Sequence, residues 1–238
     1  MTYFVRGCCG RDRQVNPDRI SEVIAEGAPD IVALQDIGGE EGDEQLAYLA
    51  KCLGMKCYAG ASPNGNAFLS YYPLKGTRAY DLGHGGMCLR ADADIMGKRL
   101  HLLNLRLTPG KKQRQQQISA LLGSDLLGNR SLGCPVLILG DFGDYFWGAG
   151  NMALNLNLRK GVLSLWRGTY PAWCPVVDRD RAYYRGPLRI IDATVMRSKL
   201  ARQASNHLPV ILTTQINDPR TYLRTENLGR SRMEVAPG

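Results

Sequence analysis

Four side chains in this sequence have types and settings suited to polar chemistry: Asp36, Asp141, Asp192 and His207. Asp36 closes the run PDIVALQD just before Gly38-Gly39, and Asp141 follows Gly140 near the end of PVLILGDFGD. Asp192 sits inside IIDATV, and His207 precedes Leu208-Pro209 in ASNHLPV. Carboxylates offer hard oxygen atoms to divalent cations. Histidine changes charge near neutral pH and can move protons. Each residue also has a structural reading. Asp36 and Asp141 stand where turn residues bond their own backbone, and His207 can be a satisfied core histidine. Asp192 is harder to read as structural, because a carboxylate buried among apolar neighbours is costly without a partner. His207 would supply one.

Hydrophobic periodicity indicates the elements that must position these groups. Asn16-Pro17 followed by DRISEVIAEG predicts a helix with Pro at its start and Gly27 closing it. PDIVALQDIGG and PVLILGDFGD are short apolar runs of the kind that form buried strands. EEGDEQLAYLAKCLG predicts an amphipathic helix, and GNAFLSYYP a strand stopped by Pro73. MCLRADADIMGKRLHLLNLRL reads as a hairpin turning at Met96-Gly97. GKKQRQQQISALLGSDLLG predicts a helix with a polar first half, and two further strands are expected near 189–196 and 208–216. This mixture of hairpins and helical crossovers predicts an α+β fold of two packed sheets with outer helices over residues 1–216. Residues 217–238, with Asp218-Pro219, Gly229 and Pro237, read as an extended tail.

Composition narrows the function classes. Of the 238 residues 44% are hydrophobic and 22% charged, which excludes a disordered, collagen-like or coiled-coil chain. No window is long and apolar enough for a membrane span, and the first residues lack the apolar region of a secretory signal. Seven cysteines at irregular spacing, without a CxxC pair, predict mostly buried free thiols and a reducing compartment. The net charge of +8 is unevenly placed. Residues 159–202 hold ten Lys or Arg against three Asp, whereas residues 21–50 hold eight acidic residues and no basic one. The basic region and the tail are the candidate surface for a polyanion or a protein partner. Within it, GTYPAWCPVVDRDRAYYRGP interleaves Trp173, Tyr183 and Tyr184 with Arg179, Arg181 and Arg185. That pattern suits single-stranded nucleic acid and a protein interface equally. Lesser candidates are Asp144 as a replacement ligand and His84 in a Gly-rich loop. His101 in a strand and the basic start KKQRQQQ of residues 111–117 are expected to be structural and solvated, respectively.

Four segments in order, PDIVALQDI, GNAFLSYYPL, PVLILGDFGD and ASNHLPVILTTQI, resemble the endonuclease/exonuclease/phosphatase superfamily with the deoxyribonuclease-I-like fold. IIDATV resembles that family's LDRIFV-like segment, and TYPAW its TFPSW-like loop, which borders the substrate groove. The resemblance implies a four-layer α/β/β/α sandwich of two mostly antiparallel sheets. It also implies a Mg²⁺-dependent phosphoesterase, Mn²⁺ being the alternative cation, in which a His-assisted water attacks phosphorus. On that basis Asp36 and Asp141 would hold the metal, His207 would be the base and Asp192 would orient it. The match fails at several positions. Phe4 stands at the family's metal-site Asn, Asn104 at a His, Gly143 at the Asn of GDFN and Asn206 at the Asp of SDH. Asn104 and Asn206 remain candidate contacts to substrate. The losses imply a weakly active or inactive member reused as a binding or structural subunit, with Mg²⁺ or Mn²⁺ as cofactor if it is active and none if it is not. The alternatives are an active divergent phosphodiesterase or phosphatase using His207, and a non-catalytic nucleic-acid binder.

Overall fold

The computed structural model describes residues 1–37, 42–60, 65–129, 132–144, 151–161 and 168–218. Two six-stranded sheets lie face to face. The first carries, in spatial order, β11 (Leu188–Val195), β12 (Val210–Ile216), β1 (Thr2–Phe4), β2 (Ile31–Gln35), β4 (Ala67–Ser70) and β3 (Lys56–Ala59). The second carries β5 (Leu74–Gly83), β6 (Gly86–Ile95), β7 (Lys98–Arg106), β8 (Val136–Asp141), β10 (Asp180–Arg185) and β9 (Arg159–Lys160). Among the described strands, β1–β2 and β7–β8 pair in parallel and the other pairs are antiparallel. Helices α1 (Pro17–Gly27), α2 (Gly42–Leu53) and α5 (Lys199–Ala204) share a core with the first sheet. Helices α3 (Lys111–Leu122) and α4 (Met152–Asn157) share one with the second. A third core, with Ala33, Phe68, Leu89, Leu102, Leu139 and Ala182, fills the space between the sheets. The result is the expected four-layer α/β/β/α sandwich.

Local chemistry explains most element ends. The Asn16 side chain caps α1 by accepting from Arg19 N at 3.2 Å, with Pro17 in the first turn. The helix ends at Gly27 as expected, and Ala28 takes the left-handed cap at φ 42°. The Met96-Gly97 turn has both residues at positive φ, 54° and 83°, the twist that a two-residue hairpin requires. It joins β6 to β7 with the hairpin read from the sequence. The DRAYYR segment is not a binding loop but β10, paired along its length with β8.

The cysteine expectation is only partly met. All seven are free thiols, but only Cys8 and Cys88 are buried, and Cys52, Cys57 and Cys174 are exposed. No helix among the described residues is long and apolar enough to cross a membrane. Residues 219–238 of the expected tail lie outside the described residues. Of its start, Asn217 N donates to Pro187 O at 2.8 Å and Asp218 is buried.

One polar pin crosses the interior. Asn104 on β7 is fully buried and donates to Leu34 O at 2.8 Å and Ala67 O at 2.9 Å on the opposite sheet. Its Oδ1 accepts from Gln35 Nε2 at 2.8 Å. Every polar atom of this amide is therefore engaged, and Asn104 is a link between sheets rather than a substrate contact. Asn104→Ala removes three buried hydrogen bonds, those to Leu34 O and Ala67 O and the one from Gln35 Nε2, a loss of about 2–3 kcal/mol. Urea denaturation will measure it, and a change within a few tenths of a kcal/mol would contradict the assignment.

Candidate active site

The site forms where strand ends from both sheets meet. Asp141 ends β8, and its Cα partners on the flanking strands are Arg106 of β7 and Asp180 of β10. Phe4 ends β1, Asp36 follows β2, and Asn206 and His207 precede β12. Asp36 takes a left-handed conformation, φ 58°, which a short polar side chain tolerates. That turn is fixed by Gly7 N donating to Asp36 O at 2.6 Å.

His207 has its partner, and it is not Asp192. His207 Nδ1 lies 2.8 Å from Asp180 Oδ2, with both residues essentially inaccessible. Asp192 lies on β11, the edge strand of the first sheet. The ladder slips between Ile190 and Asp192, which leaves Ile191 and Asp192 exposed, and Asp192 accepts from Thr194 Oγ1 at 3.0 Å. The buried-carboxylate argument for Asp192 fails because the segment is buried on one face only. Asp180 was missed because it opens a strand rich in arginine. Its signal was available: an acidic residue begins an Ala/Tyr run soon after TYPAW, as Asp192 lies in an Ile/Ala/Val run.

The residue that β7 sends to the site is Arg106, two positions beyond Asn104. Its Nη1 lies 2.8 Å from Asp36 Oδ1. Asp141 is held more completely. Arg179 donates to it through Nε at 3.1 Å and Nη2 at 2.6 Å, and Gly143 N donates to Oδ1 at 2.8 Å. Arg179 is 8% exposed and Asp141 1%, so this is a buried bidentate pair. Both carboxylates expected to hold a metal are thus bonded to guanidinium groups.

Aromatic rings join the two arginines into one column. The Arg106 guanidinium lies 5.7 Å from the Phe4 ring centroid. Phe4 stacks on His207 at 4.4 Å with 22° between planes. Tyr170 covers His207 at 4.9 Å, and Arg179 lies 5.0 Å above Tyr170. Cation–π contacts of this kind strengthen when desolvated. Phe4, where the resemblance led us to expect an amide, is therefore a ring packed against the histidine.

The remaining candidates have structural partners. Gly143 adopts φ 61°, and a Cβ there would meet Leu107 O and Thr108 O at 2.6 Å, so the backbone excludes a side chain. Asp144 is buried between Arg114 and Arg181, at 3.4 and 3.5 Å. Arg114, in the helix start expected to be solvated, is 3% exposed and donates to Pro109 O at 2.6 Å and Gly143 O at 3.0 Å. Arg181 is completely buried beside Asp178 and Asp144. Arg185 is half-buried and donates to Leu127 O at 3.0 Å. The expected arginine-and-tyrosine surface therefore does not form: Arg179, Arg181 and Tyr183 are buried, while Trp173 is exposed. Asn206 is half-buried at the rim, where its backbone O accepts from Ala172 N at 2.8 Å. His84 is exposed in the β5–β6 turn. His101 is structural as expected, with Nδ1 2.6 Å from Asp92 Oδ1. Burial alone would raise the Asp92 pKa, but the His101 bond and neighbouring Arg90 and Arg99 outweigh it and hold the carboxyl below its ordinary value.

Breaking the buried pair from one side isolates a charge. Arg179→Met should cost about 3 kcal/mol or more. The double variant Asp141→Asn with Arg179→Met should recover much of that loss, because it leaves no unpaired ion. A denaturation double-mutant cycle measures the coupling, and additive losses would show that the two groups do not interact.

A family model described as "Endonuclease/Exonuclease/phosphatase family" matches residues 5–207. A comparison with curated proteins gives no match. Among solved structures, an endonuclease/exonuclease/phosphatase from Beutenbergia cavernae superposes with a TM-score of 0.74 at 18% identity, covering 91% of this chain and 70% of that one. A mannosyl-6-phosphatase of Bacteroides thetaiotaomicron gives 0.73 at 15% identity, covering 90% and 98%. D. rerio TDP2 complexed with a single-strand DNA product gives 0.72 at 16% identity, covering 90% and 97%.

Proposed function

The chain belongs to the endonuclease/exonuclease/phosphatase family, and from that premise we propose that it is a non-catalytic member whose fold serves as a binding or structural subunit. One observation carries this reading: Arg106 and Arg179 occupy the carboxylates, Asp36 and Asp141, that a divalent cation would need. Mg²⁺ demands near-ideal octahedral oxygen coordination and loses its water reluctantly. To bind here it would have to displace the buried Arg179 from Asp141 and the partly exposed Arg106 from Asp36. Phe4 offers no donor atom, and Gly143 has neither a side chain nor room for one. Among the described residues no group of three or more His, Cys, Asp or Glu converges to hold a metal ion. The donor set does not fit Mg²⁺ or Mn²⁺.

The histidine argues the same way. His207 is 1% exposed and packed between Phe4 and Tyr170, whereas a general base must reach the proton it removes. One feature favours a second reading. The Asp180–His207 pair at 2.8 Å retains the form of an oriented base. In an active divergent phosphodiesterase or phosphatase, His207 would act with Asp180 in the place expected for Asp192. The neighbours described as a mannosyl-6-phosphatase and as a DNA-product complex support a phosphate ester or nucleic acid as the ancestral ligand class.

Calorimetric titration with Mg²⁺ and Mn²⁺, with bis(p-nitrophenyl) phosphate hydrolysis assayed alongside, separates the two. We expect no saturable binding at millimolar metal and no hydrolysis above the buffer rate. Saturable binding lost in Asp141→Ala, with turnover lost in His207→Ala, would establish the enzyme instead.

A further inference from the structure

A group of exposed basic residues among the described residues lies on segments other than the 179–185 region. The turn between β1 and α1 presents Arg6, Arg11 and Arg13, all exposed. Its only carboxylate, Asp12, is paired with Arg19 at 2.8 Å. Arg11 N donates to Gln203 O at 3.0 Å, tying this turn to α5, where Lys199 is exposed. Arg202 on α5 donates to Trp173 O at 3.3 Å, tying α5 to the loop that carries Trp173 and Val176. Those two apolar side chains are 61% and 55% exposed. Hydrogen bonds thus link three segments distant in sequence that carry exposed basic and apolar side chains; Glu26, which accepts from Ser198 Oγ at 2.8 Å, is an acidic group beside Lys199.

The turn is braced by its own backbone. Arg6, Cys8 and Arg13 adopt φ of 52°, 57° and 64°, a region that L-residues other than glycine enter at a cost. Hydrogen bonds hold it there: Cys9 N to Arg6 O and Arg13 N to Gly10 O, both at 3.0 Å, and Asn16 N to Cys8 O at 2.9 Å. Cys8 is buried beneath it, and burial pushes its thiol up to about 12. Preorganised surfaces lose less entropy on binding, and Arg and Trp are the side chains most enriched among binding hot spots.

We propose that this face docks an acidic protein segment carrying an apolar side chain that packs against Trp173 and Val176. A partner seated here would lie next to Asn206 at the rim of the site, so the proposal goes beyond the non-catalytic reading and can stand or fall apart from it. The face suits a peptide better than single-stranded nucleic acid. Binding of successive bases uses a series of exposed rings, but Tyr170 is committed to His207 and Arg179, and Tyr183 is buried. Trp173 stands with an aliphatic neighbour instead.

The test uses a labelled peptide of repeating Glu-Glu-Leu, a single-stranded oligonucleotide of equal charge, and fluorescence anisotropy. The peptide should bind the full chain at low salt and weaken as salt rises. The variant Arg11→Glu/Arg13→Glu/Lys199→Glu should lose about tenfold or more in affinity. Trp173→Ala should lose a comparable factor while keeping its thermal unfolding midpoint. No peptide binding, or binding unchanged in both variants, overturns the proposal. Tighter binding of the oligonucleotide through the same residues also overturns it, as does a homodimer that the charge-reversal variant dissolves. If metal-dependent hydrolysis appears while peptide binding persists, the non-catalytic reading fails and this surface stands. If neither metal nor peptide binds, the surface alone fails.

Discussion

Arg179 lies between Asp141 and Tyr170, and the site takes its form from that position. Its guanidinium satisfies both oxygens of a carboxylate that ends a fully buried strand. Left alone, that carboxylate would incur a heavy desolvation cost. On its other side the cation rests on Tyr170, which covers His207, which stacks on Phe4, which lies beneath Arg106. Arg106 then closes on Asp36 across the gap between the two sheets. The column carries two positive charges and two carboxylates, and it neutralises the strand ends from within the chain.

Around the column the loops are fitted to the pairs. Arg114 reaches from α3 to Pro109 and Gly143 carbonyls, clamping the loop after β7 to the loop after β8. Gly143 turns with positive φ and donates back to Asp141, where any side chain would collide with the Leu107 and Thr108 carbonyls. The absence of a side chain at 143 and the arginine at 179 are thus parts of one packing solution. Restoring an amide at 143 alone would strain the turn without freeing Asp141.

Much of the fold was legible because it depends on patterns with one physical cause each. The hairpin at Met96-Gly97, the capped start of α1 and the apolar strand β8 follow from turn twist, capping and continuous burial. The site was legible in part. His207, Asp36 and Asp141 stand at strand ends that the motifs mark. Arg106 was mistaken for Asn104 because a two-residue slip along a strand leaves a side chain on the same face. One position lies deep between the sheets and the other at their rim. Asp180 was mistaken for Asp192 because burial of arginine depends on partners far away in sequence. Arg179 and Arg181 look like surface residues until Asp141, Asp144 and Asp178 are seen around them.

The central claim is that a guanidinium, and no exchangeable cation, neutralises Asp141. Arginine side-chain NMR tests it most directly. The Nε–H resonance of Arg179, assigned through its loss in Arg179→Met, should be slow to exchange with solvent and should not move when millimolar Mg²⁺ or the chelator EDTA is added. A resonance that shifts with Mg²⁺, or exchanges as fast as that of an exposed arginine, would contradict the account.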